Sequence, residues 1–225
     1  MTTPRHKTEW NGPVRAGFAG LLLAWFATAY VIGTEQLLPN EGSALIAPIA
    51  MTAAIPVAVF LALYALSSRF RGFILAQDIR ALTMLQHWRV MGFAFLPLTF
   101  FGVLPGLFAW PAGLGDIAIG LAAPFVIARI GRDPAWATSA GLVRYHLLGL
   151  LDFAVAIATA GLSAGAFPNL IADGVASAPM DVWPLNLFPS FLVPIFIILH
   201  LSVLLKVRHL RRVARHRVEL AVGTA

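Results

Sequence analysis

Long apolar stretches recur along the chain and are separated by shorter polar segments that contain nearly all of the charges. Six of these stretches approach the ~20 residues that an α-helix needs to cross the roughly 30 Å hydrocarbon core of a bilayer. Their apolar residues do not alternate with polar ones, as they would in a membrane β-barrel. Because backbone groups in lipid must be paired internally, the pattern predicts an all-α integral membrane protein with six transmembrane helices. The predicted spans are residues 16–33, 44–66, 87–104, 115–130, 141–164 and 187–205.

The segment between the second and third spans has a different pattern. In residues 67–86, apolar side chains recur at helical spacing among charged residues, which is typical of an amphipathic helix at a membrane surface. We therefore predict an interfacial helix that leads into the third span. The polar tails at residues 1–15 and 206–225 complete a single domain, residues 1–225, whose six-helix bundle occupies residues 16–205.

Lysine and arginine predict the orientation of this bundle. With six spans, all sixteen of them lie on one side of the membrane, in the two tails, residues 67–89 and residues 129–144. The three connections on the other side contain aspartate and glutamate but no basic residue. Cytoplasmic segments of membrane proteins are enriched in lysine and arginine, so we predict that both termini are cytoplasmic.

Composition supports a membrane protein and excludes several other classes. The chain is 59% hydrophobic and 12% charged, about half the charged fraction of a soluble domain. The net charge of +6 does not indicate nucleic acid binding, because the basic residues border apolar segments instead of forming a folded basic domain. The absence of cysteine excludes disulfides, cysteine-ligated metals and iron–sulfur clusters. We predict no cofactor and no metal.

Ionisable residues at membrane depth are the candidates for a site, since charges there are costly. Asp152 lies near the middle of the fifth span, and Arg89 and His200 lie one to two turns inside the cytoplasmic ends of the third and sixth. Gln86 lies one turn before Arg89 and would support Arg89 in its role. Structural alternatives remain open: Asp152 as a paired residue that joins helices, His200 as a neutral core residue, and Arg89 as a side chain that extends to the interface.

Asp116 lies in the first turn of the predicted fourth span, after a loop at residues 105–114. A carboxylate there would stabilise the helix N-terminus. Arg89 and Asp116 would then lie near opposite faces of the membrane, so we expect Asp152 and His200 to be the partners of Arg89. Prolines within four spans bend them and favour an internal cavity. They are Pro56, Pro97, Pro124 and Pro194.

Four segments resemble a family of small, uncharacterised bacterial multi-pass membrane proteins. They are QHWRVMG, PAGLGDIAIGLAAP, LLGLLDF and PSFLVPIFIILHLS, and they extend over about residues 80–205. The resemblance implies a six-helix protein of the bacterial cytoplasmic (inner) membrane and supplies no activity. We interpret the PAGLGD segment as an outer-face turn that positions Asp116.

Three functions are compatible with these residues. We favour a membrane-embedded site that binds or translocates a proton or small solute, with Arg89, Asp152 and His200 at its centre, Asp116 at its outer mouth, and protons exchanged between Asp152 and His200. A haem-binding redox protein would instead use His146 and His200, which lie at similar depths on consecutive helices. The third is a non-catalytic subunit or assembly factor that forms a homo-oligomer or joins a membrane complex. No nucleophile–base pair or metal-ligand spacing indicates an enzyme.

Overall fold

The described part of the chain is built from helices. The structure is a computed structural model that describes residues 12–38, 48–164 and 175–223. The loop carboxylates Glu41 and Asp173 and the first part of the N-terminal tail lie outside the described residues. The α-helices are α1 Gly12–Thr34, α2 Pro48–Leu66, α3 Ser68–Ala76, α4 Ile79–Met84, α5 Phe95–Phe100, α6 Gly106–Arg132, α7 Ala140–Leu162 and α8 Val193–Gly223. The helices of other types are the 3₁₀ segments Leu85–Ala94, Pro134–Thr138 and Ala178–Asp181 and the π-helix Phe188–Leu192.

Five helical segments among the described residues are long and apolar enough to cross a membrane. They overlap five of the six predicted spans. The prediction of an all-helical membrane protein is therefore confirmed for the described part of the chain. The five segments are Gly12–Thr34, Pro48–Leu66, Gly106–Arg132, Ala140–Leu162 and Phe188–Arg217.

The third predicted span, residues 87–104, has a different helical geometry. It consists of most of the 3₁₀ helix Leu85–Ala94 followed by α5, and it ends in a turn at Gly102, whose φ of 69° favours glycine. Ten residues is long for a 3₁₀ helix, since runs beyond about four are uncommon. With three residues per turn, positions three apart share one face. Three such positions of the 3₁₀ helix are buried, and buried residues of the flanking α4 and α5 continue the three-residue spacing at each end, so that the period-three line is Thr83, Gln86, Arg89, Gly92 and Phe95.

The predicted interfacial helix at residues 67–86 is divided. α3 ends at Ala76, and α4 begins after Asp78, whose carboxylate accepts a hydrogen bond from the Ala81 N–H at 2.9 Å. A capping aspartate favours a new helix start at this point. The amphipathic segment therefore forms two short helices instead of one.

α6 begins at Gly106, well before the start predicted for the fourth span. The expected loop at residues 105–114 is helical from Gly106 onward, so the interpretation of PAGLGD as an outer-face turn is wrong. Gly113 explains why: an added Cβ there would lie 3.1 Å from the Gly92 carbonyl, so a glycine lets α6 pack closely on the 3₁₀ helix. This packing outweighs the low helix propensity of glycine and proline. Asp116 consequently lies about three turns inside α6 and not in its first turn.

Two groups of buried apolar side chains lie at opposite ends of the bundle. α6 contributes to both groups from its two ends, and so does the segment that runs from α4 to Leu104. This segment therefore passes from one end of the bundle to the other. The first group, which we call the basic end because of the arginines beside it, is Ile79, Ile130, Leu142, Val203 and Val207. The second group, the opposite end, is Phe95, Leu104, Phe108, Ala109, Ala112 and Met180.

Two prolines inside helices, Pro124 and Pro194, are matched by side-chain donors from other elements. A proline leaves the carbonyl four residues before it without its usual N–H partner. For Pro124 this is the Gly120 carbonyl, which accepts a hydrogen bond from His87 Nδ1 at 2.9 Å. The bond joins the 3₁₀ helix to α6 at the point where α6 is weakened.

Replacing Trp25 with phenylalanine tests the equivalent bond at Pro194. Trp25 Nε1–H donates to the Ser190 carbonyl at 2.9 Å and joins α1 to the start of the last helix. We expect Trp25→Phe to lower the free energy of unfolding by about 1 kcal/mol, because a smaller aromatic ring remains and the N–H donor is lost. Thermal unfolding in detergent measures the change. Trp88→Phe is the matched control, since Trp88 is 63% exposed. Equal effects of the two substitutions would contradict the expectation.

Candidate functional site

Arg89 is enclosed in the middle of the bundle, where its side chain has no exposed surface. Nε donates to Asp116 Oδ1 at 2.7 Å, and Nη2 donates to Asp152 Oδ2. Nη1 donates to the Gly149 carbonyl at 3.2 Å and to His200 Nε2 at 3.0 Å. A planar guanidinium supplies enough N–H groups for all four bonds, whereas an ammonium has only about three donors. One side chain therefore joins the 3₁₀ helix to α6, α7 and α8.

Asp116 forms a direct ion pair with Arg89, so the expectation that the two lie near opposite faces of the membrane is wrong. That expectation depended on a late start for α6. Because α6 begins at Gly106, Asp116 reaches the depth of Arg89. Asp152 and His200, the expected partners, also contact Arg89, and each of the two carboxylates keeps only 12% of its side-chain surface exposed.

A chain of hydrogen bonds continues from Arg89 through two histidines. His200 Nδ1 lies 2.7 Å from His146 Nδ1, and His146 Nε2 lies 3.3 Å from Thr83 Oγ1, which donates to the Ile79 carbonyl. Because arginine only donates, His200 accepts at Nε2 and carries its proton on Nδ1. His146 then accepts at Nδ1 and donates from Nε2 to Thr83. Both rings are neutral in this arrangement, and every bond in the chain points away from Arg89.

His146 and His200, which sequence reasoning considered as haem ligands, do not fit that role. Their ring centroids are 5.0 Å apart and their Nδ1 atoms are at hydrogen-bond distance. An iron between them would have to separate the two rings. Neither side chain lines the main cavity, so the described residues of its wall offer no imidazole to a porphyrin.

Gln86 is completely buried but belongs to a different contact. Its Nε2 donates to the Phe196 carbonyl at 3.2 Å, and its Oε1 has no partner among the described residues. Gln86 makes no hydrogen bond with Arg89, so it joins the 3₁₀ helix to α8 beside the site and does not support Arg89 directly.

Several residues of the site were not identified from the sequence. The Phe153 ring centroid lies 3.9 Å from Arg89 Cζ, a cation–π contact. Thr83 ends the histidine chain. Glycines allow the polar groups to approach, because an added Cβ would overlap one of the two carboxylates or the His200 ring. These glycines are Gly92, Gly115 and Gly149.

Asp116 and Asp152 line a cavity of about 400 Å³ that is bounded by α2, α6, α7 and the π-helix. The cavity extends from the two carboxylates toward Met180 at the opposite end of the bundle, away from the basic end. Its wall is mostly apolar. Among the described residues, four aromatic rings contribute to it: Phe95, Phe108, Phe153 and Phe188.

The site contains one permanent positive charge and two carboxylates. Arginine stays protonated in proteins, and the histidines are neutral in the arrangement above. With Asp116 and Asp152 both ionised, the site would therefore carry a net charge of about −1, and an uncompensated buried charge is costly. The charges balance when the site holds one more positive charge, either as a proton on a carboxylate or as a bound cation.

Replacing Arg89 with lysine tests whether the guanidinium geometry holds the helices together. Arg89→Lys keeps the charge but cannot make all four bonds, so we expect the free energy of unfolding to fall by about 3 kcal/mol. Denaturation in detergent measures this loss. Arg80→Lys, at an exposed position of α4, should change it by less than about 0.5 kcal/mol. Similarly small effects at both positions would show that the bonds of Arg89 do not stabilise the fold.

Replacing Gly149 with alanine tests the close approach of α7 to Arg89 and His200. The new Cβ would overlap the His200 ring and lie 3.0 Å from Arg89 Nη1. We expect Gly149→Ala to lower the free energy of unfolding by about 1–3 kcal/mol through overpacking. Gly20→Ala is the control because an added Cβ there meets no atom within 4 Å. Alanine in an open helix position is stabilising by up to about 1 kcal/mol, so opposite signs are expected in thermal unfolding, and equal signs would refute the packing argument.

Comparison with known sequences assigns the chain to a family. Residues 46–208 match a domain of unknown function, DUF8737. The matched region excludes α1 but contains every residue of the site around Arg89. No curated protein and no solved structure matches the chain. Since the match covers most of the sequence, the protein belongs to the DUF8737 family.

Proposed function

We propose that this protein binds a proton or a small solute at the site formed by Arg89, Asp116 and Asp152 and moves it through the membrane. One observation carries the proposal: two carboxylates share a single buried guanidinium and also line a cavity. An arginine that served only to join helices would be neutralised by a single carboxylate. The second carboxylate gives the site a place for one exchangeable positive charge.

The proposal includes six membrane crossings, with the 3₁₀ helix and α5 as the third. Ten residues of 3₁₀ helix at about 2.0 Å each and six of α-helix at about 1.5 Å each have a length of about 29 Å, close to the hydrocarbon thickness. Six crossings put the basic end and both termini on the cytoplasmic side of a bacterial inner membrane. The cavity then belongs to the outer half of the bundle.

In this proposal the exchangeable charge is held by the carboxylates and not by the histidines. Arg89 lies between His200 and Asp152 and does not release a proton, so direct exchange between those two residues is left out of the mechanism. Each carboxylate uses one oxygen to bind Arg89. The other oxygen, Oδ2 of Asp116 and Oδ1 of Asp152, receives no hydrogen bond from the described residues. In this proposal, a proton or cation that enters through the cavity binds to the two carboxylates, which line it.

Replacing Asp152 with asparagine tests the proposal. The change removes one negative charge and leaves the balanced pair of Arg89 and Asp116, so we expect the protein to stay folded. Proton uptake into proteoliposomes, followed with an internal pH-sensitive dye under an imposed membrane potential, should fall at least ~10-fold, since the group that holds the exchangeable proton is lost. Size-exclusion chromatography in detergent checks folding.

Asp133→Asn is the matched control for this experiment. Asp133 is exposed in the segment after α6 and only caps the 3₁₀ helix Pro134–Thr138, a role that asparagine also performs. Its uptake should equal that of the unchanged protein. Uptake that persists in Asp152→Asn would refute the proposal, and so would a variant that no longer folds, because an essential structural ion pair predicts that result.

A further inference from the structure

The wall of the cavity has an unusual combination of charge and hydrophobicity. Among the described residues that form it, three are acidic and none is basic. The remainder is dominated by alanine and larger apolar side chains. A volume of about 400 Å³ is within the range of sites that bind small organic molecules. The acidic residues are Asp116, Asp152 and Asp181.

The charges determine which molecules the cavity can accept. Arg89 is completely covered, and its N–H groups are directed at Asp116, Asp152, Gly149 and His200, so it presents no donor to an anion in the cavity. The two carboxylates line the cavity, and one oxygen of each receives no hydrogen bond from the described residues. An anion would therefore be repelled, and a neutral molecule would leave the extra negative charge uncompensated.

The apolar wall narrows the choice among cations. A metal ion such as Na⁺ or Mg²⁺ needs several oxygen ligands in place of its water, and most of this wall is hydrocarbon. An organic ammonium needs only a few acceptors, and its hydrocarbon part gains from burial against apolar surface. Four phenylalanine rings of the described residues line the cavity, and aromatic faces attract ammonium groups.

From these observations we propose that the cavity binds a small hydrophobic monocation, a primary ammonium on an aliphatic ring or short alkyl chain. The ammonium donates to the carboxylates of Asp116 and Asp152 and brings the charge of the site to zero, and the hydrocarbon part lies against the phenylalanines. This inference rests on the proposed function and names its solute.

Binding of radiolabelled cyclohexylammonium to the detergent-purified full chain, measured by equilibrium dialysis, tests the inference. We expect one saturable site per chain and at least ~10-fold weaker competition by cyclohexanol and by cyclohexanecarboxylate, which have the same ring and differ in charge. Absence of saturable binding would overturn the inference, and so would equal competition by the alcohol, because the carboxylates would then play no part in selection.

A pair of substitutions on α7 assigns the binding to the cavity. Ala156 lines the cavity, whereas Ala154 lies on the exposed face of the same helix. Ala156→Leu fills part of the cavity and should weaken cyclohexylammonium binding at least ~10-fold, and Ala154→Leu should leave it unchanged. Equal binding by the two variants would place the amine elsewhere, for example in the detergent, and overturn the inference.

The proteoliposome experiment distinguishes failure of the proposed solute from failure of the proposed function. If proton uptake by the unchanged protein depends on Asp152 but cyclohexylammonium does not bind, the choice of solute is wrong and the carboxylate site stands. If neither proton uptake nor amine binding depends on Asp152, both proposals fail. Saturable amine binding that is lost in Asp152→Asn supports both.

Discussion

The fold depends on the burial of one guanidinium. A charged group removed from water must find acceptors for its N–H groups and negative charge beside it, or the fold pays several kcal/mol. Residues of α6, α7 and α8 supply the acceptors and the negative charge for Arg89. Arg89 itself extends from a 3₁₀ helix that would be too short to cross the membrane if it were an ordinary α-helix. In lipid, apolar contacts alone do little to fix the arrangement of helices, because the surrounding lipid is equally apolar. The polar contacts of Arg89 supply the missing specificity.

The groups on the two sides of Arg89 differ in their charge and in their hydrogen bonding. Toward the basic end, neutral His200 and His146 and then Thr83 form a saturated chain that ends at a backbone carbonyl. Toward the opposite end, two carboxylates have oxygens without hydrogen bonds from the described residues, and a cavity lies beside them. In the proposed function, exchange with a proton or solute takes place on the carboxylate side. The histidine chain holds the guanidinium from the other side.

Much of the architecture and part of the site could be predicted from the sequence. The apolar runs identify five spans because length and composition alone determine whether a helix can cross a bilayer. Arg89, Asp152 and His200 were identified because charges within such runs are rare. The depth of Asp116 was not predictable from glycine and proline propensities, since close packing of Gly113 on the 3₁₀ helix overrides them. The contact between His146 and His200 depends on how two neighbouring helices are rotated about their axes, which no local pattern reports.

The sequence also contains a signal for the 3₁₀ segment. Thr83, Gln86 and Arg89 are polar residues three apart, and the buried line continues through Gly92 and Phe95. An α-helix would spread these positions over its surface by about 60° per step, because it turns by about 100° per residue. Only a repeat of three residues per turn keeps them in line. A search for periods of 3.6 therefore overlooks the segment.

The same repeat determines which changes of length this part of the gene can accept. Inserting or deleting one residue between Thr83 and Arg89 would rotate everything after it by about 120° and turn the guanidinium toward lipid. Removing three residues would keep the remaining buried positions on the same face of the 3₁₀ helix and would shorten this helix by about 6 Å. Within this stretch of the coding sequence, surviving insertions and deletions should thus be confined to multiples of three codons.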